Sequence, residues 1–100
     1  MSDYSEMLRQ HARIAILRFL ESAPRYTSNI SMLTAFLPRA GIAFTRDQVA
    51  GEVVWLEEQG LVRSEAAGGD MVIVTATVRG AEIAQGVARH PDIPRPRPGG

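Results

Sequence analysis

Cysteine and lysine are both absent from this 100-residue chain, and its eleven acidic residues are matched by eleven arginines. Without cysteine, the chain forms no disulfide bond, no thiolate zinc site and no thiol nucleophile. A formal net charge of zero excludes the strong overall positive field typical of proteins that bind nucleic acid by charge alone. The aliphatic run 71–74 is far shorter than the roughly 20 apolar residues that a membrane helix needs.

Residue patterns for catalysis or metal binding are also missing. The two histidines, His11 and His90, are far apart in the sequence, whereas zinc needs three or four convergent ligands. The chain contains no Gly-x-Ser-x-Gly, Gly-x-x-x-x-Gly-Lys or His-Glu-x-x-His motif. We therefore expect no enzyme activity, no cofactor and no metal site. Residues 1–6 are polar and acidic rather than basic and then apolar, so we expect a cytoplasmic protein without a secretory signal.

Hydrophobic residues make up 45% of the chain, which is enough for one modest core in a domain of this length. Apolar residues at three- and four-residue spacing predict helices over about 3–22, 29–39 and 45–59. We expect one domain over residues 1–90. Residues 91–100 contain four of the six prolines, which cannot continue a helix or a sheet ladder, so this segment is predicted to be a flexible tail.

The third predicted helix has the clearest boundaries. Thr45 stands at the N-cap position, and Gln48 three residues later completes the pattern of a capping box. Gly60 supplies the C-terminal stop. The apolar residues of this helix recur at spacings of four and three and are predicted to form its buried side: Val49, Val53 and Leu56.

After Gly60 the periodicity changes from helical to extended. The runs 61–66 and 71–76 are predicted strands, and the small residues 68–70 between them favour a β-hairpin turn. Thr77 then caps a fourth predicted helix over 78–89. The order of three helices, a two-stranded hairpin and a final helix predicts an α+β fold of the winged helix-turn-helix class, with the third helix as the recognition helix.

Residues 45–49, 53 and 56–62 resemble the recognition helix and first wing strand of ArsR-, MarR- and PadR-like winged-helix regulators. Residues 77–80 resemble the start of the helix after the wing in these regulators, and residues 13–20 resemble their first helix. Over nearly its whole length, the chain is similar to the small winged-helix proteins of Mu-like bacteriophages and prophages. The resemblance implies a phage-encoded transcriptional regulator that binds double-stranded DNA as a homodimer in the bacterial cytoplasm.

Polar side chains at the start of the third helix are the candidates for reading DNA. Arginine pairs with guanine and glutamine with adenine at base edges, so we expect Arg46 and Gln48 to contact bases while Thr45 caps the helix. Arg39 and Arg63 are candidates for phosphate contacts. However, the predicted recognition helix contains one cation and four carboxylates, a net charge of −3 that repels phosphate.

This charge supports an alternative function, a non-enzymatic interaction module that binds a phage or host protein instead of DNA. Val54 and Trp55 would then form an exposed apolar patch; otherwise Trp55 packs against the first helix or the hairpin. Tyr4, Met7 and Leu8 give the first helix more apolar surface than one core face requires. They are the candidates for a homodimer seam, unless they only widen the core stripe beside a frayed first turn.

Overall fold

Four α-helices and three β-strands make up the part of the chain that the computed structural model describes, residues 3–96. The helices are Asp3–Ser22 (α1), Ile30–Phe36 (α2), Arg46–Glu58 (α3) and Val78–Ala84 (α4). The strands are Thr27–Asn29 (β1), Val62–Ala66 (β2) and Val72–Ala76 (β3). Short 3-10 turns cover Pro24–Tyr26 and Leu37–Ala40. The expected α+β class and helix order are confirmed.

The sheet has three strands, so the prediction of a two-stranded hairpin was incomplete. β2 and β3 form the expected hairpin, and β1 pairs antiparallel with the other edge of β3, giving the order β1-β3-β2. The hydroxyls of Thr27 and Thr75 lie 3.0 Å apart across β1 and β3. The segment around β1 reads as a polar linker in the sequence, because three residues are too few to show a strand period.

The core lies between α1 and the remaining elements. Ala12, Ile16, Leu17 and Leu20 of α1 have no exposed surface. The stripe predicted for the third helix is buried as expected. Further buried side chains come from every other helix and from the hairpin: Ile30, Leu33, Val62, Val74, Ala76, Ile83.

Two helices end earlier than their apolar periodicity predicts. α2 gives way at Phe36 to the 3-10 turn that contains Pro38, and Gly41 leaves this turn with a φ of 82°. α4 ends at Ala84 instead of near residue 89, and Gly86 follows with a φ of 81°. Proline removes a backbone donor and glycine readily adopts the left-handed region, so both residues favour an early helix end.

The junction between the hairpin and α4 depends on Thr77 and Gly80. The Thr77 hydroxyl accepts a hydrogen bond from the Gly80 N–H at 3.1 Å and donates one to the Gly60 carbonyl at 2.9 Å. The Thr77 N–H also donates to the Leu61 carbonyl. A Cβ at Gly80 would lie 2.1 Å from that same carbonyl oxygen, so only glycine fits.

Residues 91–96 run along the body of the domain, although the sequence predicts a flexible tail from residue 91. Ile93 is only 6% exposed and belongs to the hydrophobic core. The Asp92 carbonyl accepts a hydrogen bond from Arg13 of α1 at 3.2 Å. Contacts with the body therefore continue past the domain boundary expected at residue 90. The last predicted tail residues, 97–100, lie outside the described residues.

Candidate functional site

The first turn of α3 uses Gln48, one of the two predicted base contacts, together with Thr45 for its own cap. The Gln48 N–H donates to the Thr45 hydroxyl at 3.2 Å, and the Thr45 N–H donates to the side-chain carbonyl of Gln48 at 2.8 Å. The predicted capping box is therefore confirmed. Recognition of adenine by Gln48 needs its side-chain carbonyl and amide together, so contact with a base would break one half of the cap.

Arg46 is also engaged within the protein. Its guanidinium donates hydrogen bonds to the hydroxyl of Ser31 in the first turn of α2 and to the backbone carbonyl of Asp70 in the hairpin turn. The start of α2, the start of α3 and the hairpin tip therefore meet at one side chain. These bonds position the hairpin but occupy donors that a guanine contact requires.

The solvent-facing side of α3, which we call the outer strip, consists of Asp47, Gly51, Val54 and Glu58. These residues follow each other at spacings of four, three and four, and all four are exposed. Val54 is 54% exposed. Neither carboxylate of the outer strip forms an ion pair within residues 3–96. This surface is therefore acidic around an apolar centre.

Glu52 lies on the side of α3 that faces α1, although a carboxylate ordinarily faces solvent. It is only 7% exposed, and its carboxylate accepts a hydrogen bond from Nε of Arg13 in α1 at 2.8 Å. Glu52 is three residues after Val49 and four before Leu56, which places it at the edge of the buried stripe. That spacing was the available signal for its burial.

Trp55 packs against Arg13 of α1. Of its two predicted placements, in an exposed patch or against the first helix or the hairpin, the structure shows the second. The guanidinium of Arg13 lies 3.9 Å from the centre of its ring, and His90 approaches edge-on at 5.2 Å between ring centres. The His90 Nε2 is in turn 2.9 Å from the side-chain oxygen of Gln59. Trp55 is half-buried, so it does not extend the apolar patch around Val54.

Glu57 connects α3 to the hairpin. Its carboxylate accepts hydrogen bonds from the hydroxyl of Ser64 at 2.6 Å and from the Ser64 N–H at 3.2 Å. The hydroxyl bond first, and then the backbone bond, hold the pKa of Glu57 below its ordinary value. Two of the four carboxylates predicted in this helix, Glu52 and Glu57, thus have partners within the domain.

The predicted partner residues of α1 fall into two groups. Tyr4 and Met7 are 72% and 50% exposed on the outer face of the helix. Leu8 is half-buried and lines a pocket of about 270 Å³ between α1 and α3, together with Phe44 and Gly51. The structure thus places Leu8 beside the outer strip, whereas Tyr4 and Met7 face solvent on α1.

Arg39 and Arg63, the predicted phosphate contacts, are both exposed. Arg39 follows α2 in the 3-10 turn, and Arg63 lies in β2. Neither forms an ion pair with a described residue. Both guanidiniums are therefore free to meet an anion, although they lie on elements other than α3.

No helix within residues 3–96 is long and apolar enough to cross a membrane. No group of three or more histidine, aspartate or glutamate side chains in the same range is arranged to hold a metal ion.

The fold and the surface around α3 define a small α+β domain with a helical core and a three-stranded antiparallel sheet. The chain is 38% identical over 94 residues to the uncharacterized protein gp26 of Escherichia phage Mu, covering 94% of this chain and 96% of gp26. It is also 33% identical over 76 residues to an uncharacterized protein of Haemophilus influenzae Rd, covering 76% and 74% of the two chains. The chain belongs to the family of phage Mu gp26, which supports the expected phage relationship.

No protein-family model and no solved structure matches the chain. The two relatives carry no functional name. The candidate function must therefore come from the geometry around α3.

Proposed function

We propose that this domain is a winged helix whose third helix binds a protein partner. Three features favour the winged-helix arrangement: α2 and α3 follow each other across a short turn, the β2–β3 hairpin comes directly after α3, and Arg46 joins the hairpin tip to both helices. In such folds the exposed side of the third helix is the usual contact surface.

The choice of a protein partner over duplex DNA rests on the charge of the outer strip. A recognition helix in the major groove lies between two rows of phosphates and needs cations or neutral donors on its exposed side. The outer strip instead presents Asp47 and Glu58 at its ends and Val54 between them. The one arginine of α3, Arg46, is turned toward α2 and the hairpin. An acidic surface with an apolar centre fits a protein better than duplex DNA.

Fluorescence anisotropy with a labelled, mixed-sequence 30-base-pair duplex tests this function. We expect no saturable binding by the full chain at low ionic strength. The matched variant carries Asp47→Arg and Glu58→Arg, which turn the outer strip cationic, and we expect it to gain binding that weakens steeply with salt. Saturable, salt-dependent binding by the unmodified chain would overturn the proposal.

The second candidate is the phage transcriptional regulator that binds DNA as a homodimer. One observation favours it: Arg39 and Arg63 are exposed and lack ion pairs within residues 3–96, so they are available to phosphate. In that case Arg39→Ala and Arg63→Ala would each reduce the log–log salt slope of DNA binding by about one unit. Sedimentation of Tyr4→Ala and Met7→Ala variants would test the dimer seam.

A further inference from the structure

We propose that the outer strip and the adjoining pocket bind a basic amphipathic helix of a partner protein, with one apolar side chain of that helix seated over Gly51. This inference rests on the protein-binding function proposed above and specifies its partner. Three separate observations lead to it: the glycine at the centre of the strip, the pocket beside it and the unpaired carboxylates at the ends.

Gly51 has no reason within the domain to be glycine. It lies in the middle of α3, where glycine weakens a helix relative to alanine. A Cβ built on it would meet no atom within 4 Å, and its backbone angles are not in the left-handed region. Neither packing nor conformation therefore requires glycine. Because glycine has no side chain, the backbone of α3 is uncovered at this position, and another chain can approach it closely.

The pocket opens directly beside this glycine. Leu8 from α1 and Phe44 from the segment before α3 supply its apolar walls, and Gly51 forms part of its α3 side. Polar side chains complete the lining: Ser5, Arg9, Gln48, Glu52. The guanidinium of Arg9, the one cation among them, is paired with Glu6. Its volume of about 270 Å³ is enough for one large aliphatic or aromatic side chain. Anchoring by one buried apolar side chain is a common feature of helix-in-groove recognition.

Charge complementarity selects a basic helix as the occupant. Asp47 and Glu58 are eleven residues apart, or about 16 Å along the helix axis. Both are exposed and without an ion pair in residues 3–96. A partner helix lying along α3 would place lysine or arginine near both ends of the strip and its apolar side over Val54 and Gly51.

The test uses two synthetic 18-residue helices that differ only in charge. Both carry leucine along one face; one has lysine at its two ends and the other has glutamate. Binding to the full-length protein is followed by ¹H–¹⁵N NMR titration. We expect the lysine peptide to shift the signals of Leu8, Gly51 and Val54 saturably, and to bind at least tenfold more tightly than the glutamate peptide.

Three variants sharpen the measurement. Gly51→Leu fills the approach to the pocket and should weaken the lysine peptide at least tenfold, while circular dichroism shows the helix content retained. Asp47→Lys with Glu58→Lys should reverse the preference between the two peptides. Glu65→Lys, which changes an exposed carboxylate on the hairpin strand β2, is the matched control and should leave the lysine peptide's affinity within twofold.

Several outcomes overturn the inference. Equal binding of both peptides would exclude selection by charge, and an unchanged affinity in Gly51→Leu would exclude the pocket. A dimer in sedimentation that Gly51→Leu converts to monomer would assign the strip to a second copy of this chain. If neither peptide binds and the duplex does not bind either, the basic-helix partner is wrong while the protein-binding function stands. Binding of the duplex would remove that function itself.

Discussion

Two regions of this molecule use the same residue types in opposite surroundings. Where α4 packs against α1 and the residue before β2, Gly80 leaves no room for a side chain, because a Cβ would lie 2.1 Å from the Leu61 carbonyl and 3.3 Å from Leu17. On the outer strip, Gly51 faces open space. The fold explains the first glycine completely and gives no reason for the second. Because the domain itself does not require glycine at position 51, we infer that this residue serves a contact with another molecule.

Carboxylates show the same contrast. Glu52 on the inner side of α3 is buried and bound by Arg13, which also covers Trp55 and holds the Asp92 carbonyl. On the outer side of the same helix, Asp47 has no such partner within residues 3–96. A charge count along the helix cannot distinguish these two roles. The inner carboxylate holds the domain together, whereas the outer ones are available for binding.

The largest effect is expected from Arg13→Ala. Removing the arginine leaves the Glu52 carboxylate buried without its ionic partner, so we expect a loss of about 3–5 kcal/mol in the free energy of unfolding. Urea denaturation followed by circular dichroism measures it. The variant with both Arg13→Met and Glu52→Leu should recover most of the loss, since no buried charge remains. A loss below about 1 kcal/mol would contradict the dependence of the α1–α3 packing on this ion pair.

Gly80→Ala should have the next largest effect. The added methyl group cannot coexist with the Leu61 carbonyl, so the start of α4 must shift, and overpacking of this kind costs about 1–3 kcal/mol. The same denaturation experiment gives the value. An unchanged stability would show that α4 moves aside freely and that the two glycines do not differ as described.

Gly51→Ala should change stability in the opposite direction. Alanine is the better helix former, and its methyl group meets open space at this position, so we expect a gain of about 0.5–1 kcal/mol. Thermal and urea unfolding of the two glycine variants side by side make the comparison direct. A loss of stability at position 51 would mean that the domain itself needs this glycine.

The smallest effect concerns Glu57 and is measured as a pKa. Because Ser64 holds the pKa of Glu57 below its ordinary value, this contact stabilises the fold at neutral pH and is lost as pH falls through the lowered pKa. Ser64→Ala removes the stronger bond, so the pKa should rise toward that of a free glutamate. An NMR titration of the side-chain carboxyl gives the value.

Local hydrogen-bonding signals predicted many of the boundaries. Thr45 with Gln48, Thr77 and Gly60 mark helix ends correctly, because a cap joins groups no more than a few residues apart. The hairpin was also predictable, since its turn residues are adjacent in sequence. Within the candidate site, the exposure of Val54 and the acidic character of α3 were predictable from the sequence.

The features that the sequence did not predict arise from contacts between residues far apart in the chain. β1 is a strand only because it pairs with β3, and its Thr27 meets Thr75 48 residues later. The ion pair of Arg13 and Glu52 joins residues 39 positions apart. In both cases neither residue's neighbours carry a clear signal of the contact, so no local pattern identifies the partner.

The sequence by itself determined where helices start, where the hairpin turns and how little net charge the domain has, since these depend on neighbouring residues and composition. Tertiary structure alone decided that Arg13 is the partner of the buried Glu52 carboxylate, that Ile93 joins the core, and that Gly80 is crowded while Gly51 is open. The physical reason is that caps and turns are closed by short chain segments. Burial and open space arise only when distant segments pack against one another.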